Sequence, residues 1–399
     1  MTVAICFTNF GPYHLARLRA LAARLGTAKI RLVAYEVAGR EQAYPWSPDR
    51  NIEPFEWITL FPDRVLETIA PADCRHAMAV ALDRDQPDVL CLVGYARPES
   101  MAAAIWAKRH GRPAILLSES QAIDRPRIWW KELIKMRRTR QFDAALVGGP
   151  AHRDYLVRLG MPPERIALGY NAVDNGYFTT EAQRWRNSAT GRAGLPAAPY
   201  FLTVCRFAPE KNLVRLIRAF ARYREESNPQ SAWELVLCGD GPGSAEVEDA
   251  IVRSGCAAAI HRPGFLQTGA LTRWYGHAEA FVLPSLSEPW GLVVNEAAAS
   301  GLPLLVSARA GCAATLVPEP EGTTGGQFDP LDLEEMTTKL AWIASLTAKD
   351  RRAMGRRAAQ VVSEWGPDRF AHGVIEAIEL ARAKTQWPAR TALTATSRS

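Results

Sequence analysis

The 399-residue chain is 48% hydrophobic and 23% charged, with a formal net charge of +6, the composition of a soluble globular enzyme long enough for two sizeable cores. No apolar run reaches the roughly 18 residues of a membrane-spanning helix. The first residues, Met1 to Phe7, lack a charged region ahead of their apolar stretch, so they read as a strand and not as a leader.

Predicted strands at 3–7, 30–37, 57–61, 89–94, 114–119, 144–148 and 165–168 alternate with helices at 12–25, 72–84, 98–110 and 151–159, and a Pro- and Trp-rich loop precedes the third strand. Apolar strands without polar alternation, separated by helices, imply a parallel sheet covered on both faces. Within this half, residues 125–140 carry Arg125, Arg127, Lys131, Lys135, Arg137, Arg138 and Arg140 against one acidic residue, Glu132, interleaved with Ile128, Trp129, Trp130, Leu133, Ile134 and Met136. That pattern predicts a basic amphipathic helix suited to an anionic membrane surface. The alternative is a helix that packs Trp130, Leu133 and Ile134 inward and solvates its charges. The basic run is confined and accompanied by no recognised binding module, which argues against nucleic acid. Residues 171–199 turn polar, with Gly and Pro and no period, and read as a domain connection.

The alternation resumes with strands at 200–205, 233–238, 260–262, 280–283 and 304–307 and helices at 212–226, 244–254, 269–277 and 290–300, then helices from 332 and 349 and a last one over 368–384. The seven cysteines are odd in number, sit mostly in apolar runs and show no metal-ligand spacing. Reduced buried thiols in the cytoplasm, with no metal, are the expectation. Gly239-Asp-Gly-Pro-Gly243 sits between a strand and a helix as a dinucleotide fingerprint does, but Pro242 and the early third glycine favour a tight turn that brings backbone close to a ligand. In 281–301 a strand end runs through a loop into the 290–300 helix, which Gly301 and Pro303 stop. Such a helix start at the carboxyl edge of a strand is where α/β sheets bind ligands, and amides near Gly291 and Leu292 suit an anion. Glu288 and Glu296 span roughly 12 Å if the helix forms; two ordinary solvated carboxylates are the plainer reading.

The Glu288 to Glu296 spacing resembles the paired-glutamate signature of the retaining glycosyltransferases of family 4. Arg206-Phe-Ala-Pro-Glu-Lys211-Asn, Gly239-Asp-Gly-Pro242, Pro263-Gly-Phe265 and the Ala-Glu-Ala-Phe-Val-Leu-Pro-Ser run ending at Ser285 follow that family's order over about 200–317. The resemblance implies an α/β GT-B fold: two Rossmann-like doubly wound domains facing across a cleft. An acceptor-binding domain would occupy 1–175 and a nucleotide-sugar domain 196–366, with a helix at 367–384 crossing back to the first domain and a disordered tail at 385–399. It assigns Arg206 and Lys211 to the donor diphosphate without a metal, Glu288 to the donor sugar, Glu296 to the ribose, Gly264 and Phe265 to the nucleobase, and Gly239, Gly291 and Leu292 to the donor site. Asn9, Gly11 and His14 fall where the family's first loop approaches donor phosphate and acceptor; a hydrogen-bonded helix-start residue is the alternative for His14. The chain departs from the family at Ser118-Glu119-Ser120, where many members have a histidine and where Glu119 is a candidate acceptor or sugar contact. It departs again at Ala310-Gly311-Cys-Ala-Ala-Thr315, where many have Gly-Gly and an acidic residue. The implied activity is retaining hexose transfer from a nucleotide diphosphate sugar, UDP before GDP, to a glycan or lipid-linked acceptor in bacterial polysaccharide biosynthesis. It would take place in the cytoplasm or peripherally at the inner face of the plasma membrane, with no cofactor. A silent sugar-nucleotide or glycan-binding protein and a nucleotide-sugar epimerase are the rivals on the same scaffold.

Overall fold

The computed structural model describes residues 1–42 and 53–385; Pro45, Trp46 and Pro48 of the loop ahead of the third strand, and the tail from 386, lie outside the described residues. The chain forms two compact units, Met1–Val173 with the segment that starts at Trp365, and Asp174–Glu364.

The first unit is built on β1 (Thr2–Phe7), β2 (Arg31–Arg40), β3 (Glu56–Val65), β4 (Val89–Val93), β5 (Ala114–Ser118), β6 (Ala144–Val147) and β7 (Ile166–Leu168), in the spatial order β3-β2-β1-β4-β5-β6-β7. Every pairing is parallel. Successive side chains of a strand point to opposite faces, and here both faces are buried. Val3, Ile5 and Phe7 join one core with Leu15 and Leu18, while Ala4 and Cys6 join another with Met78 and Trp106. That double burial is why the strands read as unbroken apolar runs. The last helix, Pro367–Thr385, adds Phe370, Val374 and Ile378 to the first of these cores. Gly373 permits its seat on β6 and β7, because a Cβ there would lie 2.6 Å from Leu146 Cδ1 and 2.9 Å from the Leu168 carbonyl oxygen.

The second unit is built on β8 (Tyr200–Val204), β9 (Glu234–Cys238), β10 (Ile260–Gly264), β11 (Ala280–Leu283), β12 (Leu304–Ser307) and β13 (Gly325–Phe328), ordered β10-β9-β8-β11-β12-β13 and again all parallel. The Leu213–Glu226 helix buries Leu213, Leu216, Ile217, Phe220 and Tyr223 against it, one stripe at helical spacing.

Three expectations change. Residues 175–187, read as part of a connection, form a helix of the second unit (Asn175–Asn187), capped by the Asp174 carboxylate, which accepts from Tyr177 N at 2.9 Å. Only Phe178 and Ala182 of that helix are buried, too few for a visible period. The strand β13 went unread because Gly-Gly-Gln-Phe has almost no strand-forming side chains. The helix expected over 290–300 is Leu292–Ala299, delayed by Gly291, whose φ is 100°. Among the described residues no helix is long and apolar enough to cross a membrane.

Candidate active site

In each sheet the strand order turns at one point, between β1 and β4 and between β8 and β11. Loops leaving the carboxyl ends of such neighbours diverge and leave a crevice. In the second unit these are the loops at 205–212 and 284–291. They are tied together: Leu286 N donates to the Glu210 carbonyl at 2.8 Å, and Asn212 Nδ2 donates to the carbonyls of Pro284 at 3.1 Å and Pro330 at 2.8 Å. Asn212 takes a left-handed conformation (φ 59°) where the loop enters its helix. The result is a contact between two residues distant in sequence. Lys211 Nζ lies 2.6 Å from Glu288 Oε2, and Ser285 Oγ donates to the same oxygen at 3.3 Å. The two charged side chains are only 13% and 12% exposed, and removing one partner of a pair so buried is costly. Arg206, on the same loop as Lys211, is exposed.

The Glu288 loop is braced from β12. Gly311 N donates to the Glu288 carbonyl at 3.0 Å and Cys312 N to that of Trp290 at 3.1 Å. Gly291 has a second reason to be glycine besides its φ, since a Cβ would meet Leu283 Cδ2 at 3.0 Å and Glu288 Cγ at 3.3 Å. Trp290 is buried, its Nε1 donating to Asn295 Oδ1 at 2.8 Å. Burial pushes the Cys205 thiol up to about 12, Lys211 opposing and Glu288 adding to the rise. Burial, then Glu288, pushes Cys312 well above the ordinary thiol range. Both thiols stay protonated at neutral pH and are poor nucleophiles.

Glu296 is 1% exposed and accepts from the Tyr275 hydroxyl at 2.7 Å. Gly239 N donates to the Gly264 carbonyl at 2.9 Å, and a Cβ on Gly239 would lie 1.9 Å from the Cys205 carbonyl oxygen, so this glycine lets two loops close on each other. Phe265, just past Gly264, is 41% exposed, and Leu292 is half-buried.

In the first unit, Asn9 Nδ2 donates to the Ala38 carbonyl at 2.9 Å and Phe10 N to Glu36 Oε2 at 3.0 Å. Glu36 is 1% exposed and also accepts from Trp57 Nε1 at 2.9 Å and Thr59 Oγ1 at 2.6 Å. Gly11 N donates to His14 Nδ1 at 3.1 Å. His14 is therefore a neutral tautomer with its proton on Nε2; burial beside Phe7, and then Arg17, lower its pKa to about 3. The same device recurs at Gly149-Pro-Ala-His152, where Gly149 N donates to His152 Nδ1 at 3.1 Å and His152 is fully buried. Glu119, half-buried at the end of β5, accepts from Asn171 Nδ2.

The structure thus joins Lys211 with Glu288 and gathers Asn9, Gly11 and His14 into one loop. Tyr275, Ser285, Glu36 and Asn171 were not singled out from sequence. For His14 a signal existed, the Gly-Pro-x-His repeat at 11–14 and 149–152. Among the described residues no group of three or more His, Cys, Asp or Glu side chains is placed to hold a metal.

Two parallel doubly wound units, one with a charged pair at its switch point, define the class. The fold is that of the GT-B glycosyltransferases. It resembles sucrose-phosphate synthase from Thermosynechococcus elongatus with a TM-score of 0.73 at 18% identity over 97% of this chain and 98% of that one. It also resembles Anabaena HepE in complex with UDP and glucose, with a TM-score of 0.71 at 16% identity over 95% and 99%. Residues 193–361, most of the second unit, match the family described as Glycosyl transferases group 1. In sequence the chain is 32% identical over 227 residues to the sulfoquinovosyl transferase SQD2 of Arabidopsis thaliana, a stretch covering 56% of this chain and 42% of the relative. It is 28% identical over 241 residues to an MMP alpha-(1->4)-mannosyltransferase of Mycolicibacterium hassiacum, covering 59% and 54%. The chain spans about half the length of these relatives.

Proposed function

We propose that the protein is a retaining, metal-independent hexosyltransferase. Its donor is a nucleotide diphosphate sugar, UDP-linked before GDP-linked, and its acceptor a glycan or lipid-linked glycan of bacterial surface-polysaccharide assembly. The observation that carries this reading is the Lys211–Glu288 pair at the switch point of the sheet within the group 1 match. Glycosyl transfer from such a donor breaks the bond between the anomeric carbon and a phosphate oxygen, so negative charge grows on the leaving diphosphate. Arg206 and Lys211 supply fixed positive charge for it. Arrival of the diphosphate gives Lys211 a second anion and lets Glu288 turn to hydroxyls of the sugar. The acceptor hydroxyl attacks from the face the phosphate leaves, and its proton passes to the departing phosphate oxygen. His14, with Nδ1 engaged, presents only an N–H donor to an acceptor bound at the first unit. Glu296 meets the ribose once the nucleotide uncovers it from beside Tyr275. The relative solved with UDP and glucose supports the uridine preference. A lipid-linked acceptor brings the enzyme to the cytoplasmic face of the membrane.

The test is thermal stabilisation of EDTA-treated protein by UDP, GDP, ADP and their sugar conjugates, followed by a transfer assay. Ligand at about 100 times its dissociation constant adds about 2.7 kcal/mol. Selective stabilisation by one nucleotide without metal is expected, with transfer of its sugar at the original anomeric configuration. Stabilisation with neither transfer nor hydrolysis makes the chain a silent binding protein; altered sugar stereochemistry without acceptor makes it an epimerase; no shift with any nucleotide removes the donor assignment.

A further inference from the structure

On the Trp129–Thr139 helix it is the polar side chains that face the first unit. Glu132 accepts from the Tyr155 hydroxyl at 2.8 Å and from Lys135 Nζ at 2.7 Å, Lys135 reaches that hydroxyl at 2.9 Å, and Arg127 Nη1 donates to it at 2.6 Å. Thr139 Oγ1 donates to the Leu159 carbonyl at 3.2 Å, and Met136 packs on the core that holds Leu159. At about 100° per residue, Glu132, Lys135, Met136 and Thr139 share one arc and Trp129, Trp130, Leu133 and Ile134 the other. The outward four are 75%, 48%, 52% and 42% exposed, and Ile123 and Ile128 just ahead are 55% and 39% exposed. The packed alternative, with Trp130, Leu133 and Ile134 turned inward, is therefore overturned: a cluster of hydrogen-bonding groups around Tyr155 fills the inward arc.

Charge decides what covers the outward face. Arg137 lies within the apolar arc, Lys131 and Arg138 flank it, and Arg125 and Arg140 stand at the ends of the segment. Among the described residues none of these five has a carboxylate partner, while Glu132, the acidic side chain of the helix, is turned inward to Arg127 and Lys135. Lys131 Nζ lies 5.4 Å from the Trp130 ring centroid, so cation and indole are presented together. A second copy of this chain would bring the same cations against these. A surface that is apolar within and anionic at its boundary complements both features.

We propose that this face docks on an anionic lipid bilayer. Trp129, Trp130, Leu133 and Ile134 enter the headgroup boundary while Lys131, Arg137 and Arg138 meet lipid phosphates. Docking needs no turnover, so it stands or falls separately from the transfer reaction.

The experiment is flotation of the full-length chain with vesicles of phosphatidylcholine alone and of phosphatidylcholine with about one-quarter phosphatidylglycerol. The protein is expected to float only with the anionic vesicles, to shift its tryptophan emission to the blue, and to be released as salt rises from about 0.05 to about 0.5 M. Trp129→Ser with Trp130→Ser, and separately Lys131→Glu with Arg137→Glu, should each lower partitioning at least about tenfold with the melting temperature unchanged. Failure of the unaltered protein to float with anionic vesicles overturns the proposal, as does flotation of both variants at its level. Dimerisation in solution that the Trp129→Ser, Trp130→Ser variant abolishes, without vesicle binding, assigns the face to a second copy instead.

Discussion

Each unit buries a glutamate near the turning point of its sheet, and the two are held in different ways. Glu36, beside the end of β1, accepts from a backbone amide, an indole and a threonine hydroxyl. Glu288, beyond β11, meets the Lys211 ammonium at 2.6 Å and, at the same oxygen, the Ser285 hydroxyl at 3.3 Å. Donors that belong to the backbone and to packed side chains tie the loop around Glu36 in place. In the proposed reaction the Lys211 ammonium gains the donor diphosphate as a second anion, so Glu288 is expected to change partner. Burial alone does not tell the two apart; the expected difference is that one of them exchanges partners.

Four experiments sharpen or break this contrast. Lys211→Ala and Glu288→Ala should each lower turnover by about a hundredfold or more with the circular dichroism unchanged; near-normal rates in both would make Glu288 as structural as Glu36. Glu36→Leu strands three buried donors and should cost about 3 kcal/mol in urea unfolding, while nucleotide binding by the folded fraction survives. A Glu36 variant that unfolds normally but cannot turn over would reverse the two roles. Tyr275→Phe should weaken nucleotide affinity about fivefold and narrow discrimination between ribose and 2′-deoxyribose nucleotides. If affinity falls equally for both sugars, Tyr275 only packs. A fourth effect concerns pH. The folded His14 pKa is about 3 against an ordinary 6.5, so between these values the unfolded chain binds the extra proton. The stability His14 gives is complete above the ordinary value and is lost as pH falls toward the folded one. Urea midpoints should drop between about pH 7 and about pH 4.5, and less steeply in His14→Gln, which keeps an acceptor for Gly11 N without titrating. An identical slope would show that His14 is not held neutral.

Much of the fold was legible because both faces of each sheet are buried, which leaves apolar runs such as Val3 to Phe7 and Ala280 to Leu283. The two loops that carry Lys211 and Glu288 were legible from the strand and helix on either side of each, and the interest in those two residues from the family resemblance. What stayed hidden depended on partners far away in sequence. The Asn175–Asn187 helix shows no stripe because it buries only two side chains. The stripe on Trp129–Thr139 gave the phase of the helix but not its direction, which Tyr155 decides by holding Glu132 and Lys135 inward. Tyr275 is one aromatic among many until Glu296 is seen beneath its hydroxyl.

The last helix also has a consequence for how the chain is made. The ribosome delivers the sheet of the first unit early, yet Phe370, Val374 and Ile378, which complete one of its cores, emerge only after the whole of the second unit. Until then the face of β6 and β7 around Leu146, on which this helix sits, lacks its cover, so a nascent chain carries an open apolar face while the second unit is made. The unit begun first is therefore finished last, and a chain stopped after Glu364 would leave that face exposed for good.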